Sequence, residues 1–335
     1  MNTITNNILA DQFGRVHDYL RISLTERCNL RCFYCMPEEG IALRPRSQFM
    51  AKNEVIEIAK IFVALGIKKI RLTGGEPLVR NDAKEIIEEL SKLPIELAIT
   101  TNGILVDKFI DTFKACNLNS VNVSLDSLQE KKMNAISRRN YFSTIIANIH
   151  TLLKENFHVK LNAVIMRGVN DDEITDFIEF TRENNAHFRF IEFMPFNGNK
   201  WDRSKGLSYK EIMTIVNGHF GEKVLKIEDK KNDTAKNYQI QGYKGTFAII
   251  SSVTNPFCDN CNRLRLTADG RMKNCLFSGT ETNLLTALRM NKDILPLILE
   301  SVWNKKEKRG GMVTAEDFSN PLLNQKNRSM IAIGG

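Results

Sequence analysis

The sequence predicts an α/β fold: an open (β/α)6 partial TIM-type barrel followed by a smaller C-terminal α+β extension. Short strand-like runs alternate with amphipathic helices from residue 18 to 194, polar motifs follow the strands, and the alternation stops after Met194. Strand and helix repeated in this order give parallel strands joined by right-handed crossovers. Six such units are too few for a closed eight-stranded barrel and enough for an open one.

The predicted strands are short runs rich in β-branched and apolar residues: YLRISL (19–24), KKIRLT (68–73), ELAITT (96–101), SVNVSL (120–125), VKLNAVIM (159–166) and FRFIEFM (188–194). Each intervening segment has a helical period. In the first helix, Val55, Ile58, Phe62 and Leu65 share one face, as expected of a helix packed on a sheet. The other predicted helices are AKEIIEELSKL, KFIDTFKACN, STIIANIHTLLKEN and DEITDFIEFTREN.

Polar motifs follow four of the strands, namely TGGEP (73–77), TTNG (100–103), SLDS (124–127) and MPFN (194–197). Barrel enzymes assemble their active sites from the carboxyl ends of many strands. A doubly wound sheet, the alternative, would concentrate its ligand residues at one switch point. The spread of motifs over four strand ends therefore favours the barrel.

The predicted barrel domain comprises residues 1–194, and residues 195–335 form the predicted extension. The extension begins with a polar connector and a helix-like run, SYKEIMTIVNGHF. KVLKIE (223–228) and TFAIISSV (246–253) are predicted to be antiparallel strands separated by a charged loop. A cysteine group and a lysine-rich helical tail follow.

The composition is that of a globular cytoplasmic protein. Of 335 residues, 42% are hydrophobic and 26% charged, and no apolar run reaches the roughly 18 residues that span a membrane. The N-terminal stretch lacks the pattern of a secretory signal. The net charge of +8 favours an anionic partner. The charge alone does not distinguish nucleic acid, nucleotide or phosphate metabolite, but the sequence shows no long basic run or arginine-rich arm, which weighs against a nucleic-acid tail.

Six of the seven cysteines form two groups of three, which are Cys28, Cys32 and Cys35, and Cys258, Cys261 and Cys275. Cys116 stands apart near the end of a predicted helix and is expected to be a small buried apolar residue. A structural zinc site needs four ligands, and His17 is the only histidine close to the first group. A [4Fe–4S] cluster can use three thiolates and leave one iron open. The first spacing favours the cluster and leaves zinc as the alternative.

The C-x3-C-x2-C pattern, with Tyr34 before the last cysteine, resembles the signature of the radical S-adenosylmethionine (SAM) family. TGGEP resembles the glycine-rich segment with which that family binds the methionine part of SAM, although Gly-Gly and Pro also suit a plain turn. The resemblance implies a [4Fe–4S] cluster on Cys28, Cys32 and Cys35 whose open iron binds SAM. It further implies reductive cleavage of SAM to a 5′-deoxyadenosyl radical.

The second group has the spacing C-x2-C-x13-C, for which a zinc ribbon is the alternative in an isolated domain. Beside a radical SAM barrel, a second open [4Fe–4S] cluster on Cys258, Cys261 and Cys275 is favoured. The two groups, the run CNRLRL and the final Gly334–Gly335 resemble the GTP-cyclising enzymes of molybdenum cofactor biosynthesis, a family within radical SAM. The resemblance covers nearly the whole chain and implies radical cyclisation of GTP.

The resemblance also assigns roles to particular residues. Those matched to catalysis are Cys28, Cys32, Cys35, Arg263 and Arg265. Those matched to SAM binding are Tyr34, Gly75, Ser124 and Met194, with Glu76 and Asp126 as helpers. Those matched to GTP binding are Arg21, Arg71, Thr100, Lys160, Arg189, Arg263, Leu264 (through its backbone) and Arg265. Arginine suits a phosphate site because its planar fork donates hydrogen bonds in pairs.

The partners implied are GTP, an electron donor, and cyclic pyranopterin monophosphate synthase as the downstream enzyme, with a homodimer left open. Neither a membrane nor nucleic acid is expected as a partner. Two other functions compete. A two-cluster radical SAM maturase of peptides would usually carry more auxiliary cysteines, and a basic zinc-binding nucleic-acid module would leave TGGEP and the barrel pattern unexplained.

Overall fold

The computed structural model of the protein describes residues 9–36 and 44–335. Residues 1–8, which belong to the stretch from which the absence of a secretory signal is predicted, lie outside the described residues. No helix in the described ranges is long and apolar enough to cross a membrane.

The strands of the described residues belong to one twelve-stranded sheet. They are β1 (Tyr19–Ser23), β2 (Lys69–Thr73), β3 (Glu96–Thr101), β4 (Ser120–Ser124), β5 (His158–Ile165), β6 (His187–Glu192), β7 (Val224–Lys226), β8 (Lys236–Ile240), β9 (Thr246–Ile250), β10 (Arg263–Leu266), β11 (Arg271–Lys273) and β12 (Thr282–Asn283).

The helices connect the strands and follow them toward the C-terminus. They are α1 (Lys52–Ala64), α2 (Ala83–Leu90), α3 (Ile110–Ala115), α4 (Glu130–Ser137), α5 (Phe142–Lys154), α6 (Ile174–Glu179), α7 (Tyr209–Phe220), α8 (Leu284–Arg289), α9 (Leu295–Trp303), α10 (Ala315–Ser319), α11 (Pro321–Lys326) and α12 (Met330–Ile333).

The strand order confirms the predicted partial barrel. The sheet runs β12-β11-β10-β1-β2-β3-β4-β5-β6-β9-β8-β7, and β1 to β6 are parallel neighbours in chain order. Parallel neighbours in chain order are the arrangement that successive right-handed βα units produce. All six predicted strands of the barrel are present.

The extension lengthens this sheet at both edges. β10 pairs in parallel with β1, and β9 pairs in parallel with β6, so residues from both predicted domains share one sheet. The domain boundary at 194/195 stays a prediction. Because β10 runs parallel to β1 and the second cysteine group lies at the start of β10, this group lies at the opposite end of the sheet from the first group, which follows β1.

The predicted antiparallel relation of KVLKIE and TFAIISSV is wrong. A strand that the sequence does not predict, β8, pairs antiparallel with both β7 and β9. β7 and β9 therefore run in the same direction. β8 has the sequence KNYQI, in which only Tyr238 and Ile240 are buried. Two apolar residues beside a charged loop are too weak a period to predict a strand.

The apolar core lies between the sheet and the helices. In β1, Leu20 and Ile22 are fully buried in this core, whereas Arg21 between them lines a cavity on the other face. This alternation follows from the two-residue period of a strand. Cys116 is buried in the apolar core, which confirms its predicted packing role.

Candidate active site

A cavity of about 320 Å³ lies inside the barrel, and both cysteine groups line it. The polar motifs predicted to gather there contribute Gly75, Thr100, Ser124 and Met194. The volume falls within the roughly 300–1,000 Å³ typical of small-molecule sites. One cavity therefore connects the first cysteine group, beyond the carboxyl end of β1, with the second group, at the amino end of β10.

The first group lies on the loop that follows β1. The Cys28 sulfur accepts hydrogen bonds from the Leu30 amide at 3.4 Å and from the Asn102 side chain at 3.8 Å. Burial, with a contribution from Glu76, raises the pKa of Cys28 to about 11. Burial, with contributions from Cys28 and Asp126, raises that of Cys35 to about 12. These thiols need a positively charged centre to ionise, which is what a metal cluster supplies.

The second group surrounds the start of β10. Cys258 and Cys261 flank a short turn just before this strand, and Cys275 follows β11. Burial raises the pKa of the Cys261 thiol, but the Lys305 and Arg263 cations outweigh burial and leave it below its ordinary value. The pKa of Cys258 is raised, mainly by burial.

Each group offers three thiols as its donor set. His17, considered above as a fourth ligand, is instead buried against Asp11, with 3.1 Å between its Nε2 and the carboxylate. Within residues 9–36 and 44–335, no group of three or more His, Cys, Asp or Glu side chains is arranged to hold a single metal ion. A zinc ion about 2.3 Å from each sulfur requires more closely gathered thiols than a cube of iron and sulfur. Three thiols facing one cavity fit a cluster with an open iron.

The glycine pair of TGGEP lies against the loop of the first group. The Gly75 amide donates to the Thr25 carbonyl at 2.7 Å, and the Glu76 amide donates to the Arg27 carbonyl at 2.8 Å. A Cβ on Gly75 would lie 2.5 Å from the Arg27 oxygen, so only glycine allows this approach. The glycine thus has a packing role at the cysteine loop, and its contact with SAM stays a prediction.

Two acidic residues near the first group have different surroundings. Asp126 lines the cavity and accepts hydrogen bonds from the Tyr34 hydroxyl at 2.6 Å and the Val164 amide at 2.9 Å. Its pKa is raised to about 6 by burial. Glu76 is fully buried, accepts from the Thr101 hydroxyl and the Asn102 amide, and joins the ends of β2 and β3. Glu76 does not line the cavity.

The barrel interior is unusually cationic. Arg21 is in register with Arg71 on one side and Arg265 on the other. Burial and neighbouring cations lower the pKa of Arg265 to about 9, of Arg189 to about 9 and of Lys160 to about 8. Like charges held close together destabilise each other's charged forms. The interior is therefore suited to a polyanion.

Several buried polar atoms at the cavity lack a hydrogen-bond partner within the described residues. They are Arg21 Nε, Arg189 Nε, Arg263 Nη1, Thr100 Oγ1, Asn122 Oδ1 and Asn162 Oδ1. Buried polar groups are normally paired, and an unpaired one costs about 1–3 kcal/mol. Six unpaired atoms around one cavity indicate a site organised for a polar ligand.

The C-terminal glycines enter this cavity. Arg265 donates to the Gly334 carbonyl at 2.8 Å, and Arg21 donates to the Gly335 carbonyl. Gly334 has a φ of +89°, and a Cβ there would lie 2.6 Å from the Thr73 hydroxyl. Both constraints favour glycine.

The predicted site residues thus divide into two sets. Those that line the cavity are Cys28, Cys32, Cys35, Cys258, Cys261, Cys275, Tyr34, Gly75, Ser124, Met194, Arg21, Thr100, Arg189, Arg263 and Arg265. Glu76 and three others do not. Arg71 is buried and donates to the Tyr19 hydroxyl and the Ile99 carbonyl, both at 2.7 Å. Lys160 lies in β5, and Leu264 is a core residue of β10.

The sequence analysis missed some residues that line the cavity. Asn122 and Asn162 occupy alternating positions in β4 and β5, so the strand period could have predicted that they face the lumen. Arg309 lies in the C-terminal tail, where no local motif distinguishes it from the surrounding basic residues.

Comparison with known proteins identifies the family. Residues 22–181 match the Radical SAM superfamily, and residues 186–311 match the family described as Molybdenum Cofactor Synthesis C. The chain is 46% identical to the mitochondrial GTP 3′,8-cyclase of Arabidopsis thaliana over 98% of its own length and 84% of the relative's. The chain belongs to the GTP 3′,8-cyclase family.

Other members of the GTP 3′,8-cyclase family are also similar. The GTP 3′,8-cyclase of Listeria monocytogenes is 42% identical, with 90% of this chain and 91% of that protein covered. The molybdenum cofactor biosynthesis protein 1 of Homo sapiens is 43% identical over 97% of this chain. This chain spans only 51% of the human protein and 52% of the Dictyostelium discoideum relative. Family membership places the chain in the radical SAM superfamily, whose members use a [4Fe–4S] cluster and SAM.

The solved structures agree on the fold. Streptococcus suis SuiB has a TM-score of 0.62 and 14% identity, over 93% of this chain and 73% of that one. In a second crystal structure SuiB is bound to S-adenosylmethionine, with a TM-score of 0.61 over 92% of this chain and 71% of that one, again at 14% identity. At this identity the likeness shows the fold alone and confirms the predicted partial barrel.

Proposed function

We propose that this chain converts GTP to (8S)-3′,8-cyclo-7,8-dihydroguanosine 5′-triphosphate, the first step of molybdenum cofactor biosynthesis. The observation that carries the proposal is the cationic lumen, whose buried arginines have unpaired donor atoms and face two groups of three cysteines across one cavity. A nucleoside triphosphate supplies the negative charge that this lumen lacks.

The triphosphate is proposed to bind Arg21, Arg189, Arg263 and Arg265. Guanidinium groups donate to phosphate oxygens in pairs and remain charged at neutral pH. Burial and mutual repulsion make the charges of Arg21, Arg189 and Arg265 costly in the free protein, so a bound polyanion restores favourable electrostatics. Lys160 and Arg71, which do not line the cavity, are proposed to attract the triphosphate through their charge from behind the cavity wall. Burial is the main cause of the lowered pKa of Lys160, and the charges of Arg189 and Arg71 lower it further. The three cations are therefore close enough to interact electrostatically.

The second cysteine group is proposed to hold a second [4Fe–4S] cluster whose open iron faces the guanine base. Cys258, Cys261 and Cys275 line the same cavity as Arg263 and Arg265. A base held there and a triphosphate held by the arginines would fix the ribose between the two groups. Such positioning is the main contribution that a protein makes when a cofactor supplies the chemistry.

The first group is proposed to hold the cluster that binds SAM, with Tyr34, Gly75, Ser124 and Met194 around it. When bound, the cluster and SAM would supply a carbon radical able to take the hydrogen atom from C3′ of GTP; bonding of C3′ to C8 of the purine would then be completed by one electron from the electron donor and one proton at N7. The chain itself positions the two ligands and encloses the cavity. The Tyr34–Asp126 hydrogen bond joins the cysteine loop to the end of β4, and Phe196, Phe257 and Met330 give the cavity apolar walls.

Further proposals follow from family membership. The product passes to a cyclic pyranopterin monophosphate synthase, and a separate protein donates electrons to the clusters. A cytoplasmic location and a homodimer are expectations of the same kind.

The test is an anaerobic assay of the reconstituted protein with SAM, dithionite and GTP. We expect 5′-deoxyadenosine and a cyclised nucleotide, with SAM cleavage stimulated by GTP. SAM cleavage that ignores GTP would refute the substrate assignment even if both clusters are present. Cys32→Ser should abolish SAM cleavage, whereas Cys261→Ser should chiefly impair productive use of GTP. Equal loss of SAM cleavage in both variants would contradict the division of roles between the two groups.

A further inference from the structure

The segment that follows α9 crosses the second cysteine group. We call residues 304–311 the strap. Within it, Lys305 is 2% exposed, and its ammonium nitrogen lies 3.4 Å from the Cys261 sulfur and 2.9 Å from the Arg263 carbonyl oxygen. A lysine side chain is seldom buried to this degree without a carboxylate partner.

The strap contacts the second group at another sulfur as well. The Arg309 amide donates to the Cys258 sulfur at 3.4 Å, and the Arg309 guanidinium donates to the Val253 carbonyl at 2.9 Å. Two of the three sulfurs thus accept hydrogen bonds from the strap. At the first group, by contrast, no lysine or arginine nitrogen of the described residues bonds to a cysteine sulfur, and the Cys28 sulfur accepts from neutral amides.

Arg15 fixes the strap in place. Its guanidinium donates to the Lys306 carbonyl at 2.9 Å, to the Glu307 carbonyl at 2.6 Å and to the Cys258 carbonyl at 2.9 Å. The Asp11 carboxylate holds Arg15 at 2.6 Å. One buried arginine therefore joins the strap directly to the turn that carries Cys258. Lys305 is held at Cys261 by the surrounding structure and does not reach it as a freely moving surface side chain.

The charge of Lys305 has no acidic partner within the described part of the chain. The nearby Asp11 carboxylate is already engaged by Arg15 and His17. Lys273, the other fully buried lysine of the region, has Glu281 at 3.6 Å. A buried cation without a counterion is costly. The group in contact with Lys305 that can carry negative charge is the Cys261 sulfur, once it is ionised as a metal ligand.

We propose that Lys305 is a positioning residue for the second cysteine group, where it orients the Cys261 thiolate and offsets the negative charge of the cluster bound there. The inference rests on the proposed second cluster. Each electron added to a thiolate-bound cluster makes it more negative, so a buried ammonium beside its ligand favours the reduced form. Hydrogen bonds and charges around cluster sulfurs are known to set reduction potentials in this way.

The test isolates the second cluster in the full chain by combining Cys28→Ala, Cys32→Ala and Cys35→Ala. Iron and sulfide content after anaerobic reconstitution, and the electron paramagnetic resonance signal during a redox titration, are then compared among three further variants. Lys305→Met removes the charge and keeps the length, Lys305→Arg keeps the charge, and Lys306→Met removes an exposed neighbouring charge as the matched control.

We expect Lys305→Met to lower the equilibrium constant for one-electron reduction at least tenfold, equivalent to a potential lower by about 59 mV. Lys305→Arg should recover most of the difference, and Lys306→Met should leave the potential unchanged. If Lys305→Met folds with the unfolding midpoint of its parent but binds no cluster, the ligand-orienting part of the proposal is supported. If it does not fold, a fourth variant, Lys305→Gln, replaces it: its potential should be lower than that of the parent, whereas the potential of Lys305→Arg should match the parent.

Two outcomes would overturn the inference, and they are distinguishable. A parent protein that binds zinc or no iron at Cys258, Cys261 and Cys275 would refute the second cluster itself, and the inference with it. A parent with an intact cluster whose potential is the same in Lys305→Met would refute the role of Lys305 alone and leave the proposed function standing.

Discussion

Replacing Arg189 by methionine is expected to stabilise the ligand-free protein and to weaken GTP binding at the same time. Arg189 lies in β6, its Nε has no partner among the described residues, and burial with Arg71 as neighbour lowers its pKa to about 9. The fall from the ordinary arginine pKa of 12.5 corresponds to an upper limit of about 5 kcal/mol for the cost of its charge. Water in the cavity reduces this to about 1–2 kcal/mol.

The predicted gain in the free energy of unfolding is therefore about 1–2 kcal/mol, measured by denaturant titration without nucleotide. Because the folded-state pKa lies below the unfolded one, the wild-type protein gains stability as pH rises above about 9. The difference between the two proteins should be full below that pH and shrink above it. Arg139→Met, which removes an exposed arginine from the surface after α4, is the matched control and should change neither quantity.

GTP binding should respond in the opposite direction. Loss of a charge-assisted hydrogen bond costs about 1.5–3 kcal/mol, so the dissociation constant for GTP should rise about ten- to a hundredfold. Isothermal titration calorimetry with the reconstituted enzyme measures it. An Arg189→Met protein that is less stable than wild type and binds GTP normally would refute the idea that the lumen charge is held for the triphosphate.

Three further predictions test separate contacts. Gly334→Ala should displace the C-terminal glycines, because its Cβ would meet Thr73. We expect faster proteolysis of this segment and loss of GTP-dependent SAM cleavage. The control Gly218→Ala, in open space on α7, should change neither. Tyr34→Phe removes a hydrogen bond that lowers the pKa of Asp126, so this pKa should rise. The pH profile of SAM affinity should therefore move to higher pH. An unmoved profile would show that the ionisation of Asp126 does not affect SAM binding. Asp269→Asn should lower the free energy of unfolding by about 3 kcal/mol. The Asp269 carboxylate accepts hydrogen bonds from Arg328 at 2.8 and 2.9 Å and from Arg44 at 3.0 Å. Thermal unfolding measures the loss, which should be absent in the control Asp172→Asn, because the Asp172 side chain is 64% exposed.

The barrel could be predicted because its signals are local. Each of β1 to β6 has an apolar period of two, and each helix has an apolar face, so strand, helix and parallel order follow from short windows of sequence. β8 and β10 depend on distant partners. β10 is the four-residue run RLRL, and its place next to β1 is set by pairing across more than 240 residues of chain.

The site residues divide along the same line. The cysteines and the glycine pair belong to compact motifs, and all of them line the cavity as expected. Arg71 does not, because contacts from β1, β3 and β4 hold its guanidinium behind the lumen wall. No pattern in β2 alone carries that information, since Arg71 alternates with apolar residues as Arg21 does in β1.

Lys305 shows the same limit from the other direction. In the sequence it is one of several basic residues in NKKEKRG, with nothing to separate it from Lys306 or Lys308. Lys305 is buried at Cys261 for two reasons. Helix α9 ends at Trp303, just before it. Arg15, near the other end of the chain, then holds the strap in place through the Lys306 carbonyl. Only the folded chain distinguishes the buried lysine from its exposed neighbours.

The most direct test of the proposed cyclisation uses GTP deuterated at C3′. The reconstituted protein is incubated anaerobically with SAM, dithionite and the labelled nucleotide, and 5′-deoxyadenosine is analysed by mass spectrometry. We predict that deuterium appears in 5′-deoxyadenosine and that the nucleotide product carries a C3′–C8 bond. Cleavage of SAM that yields unlabelled 5′-deoxyadenosine, with the label retained in GTP, would contradict it.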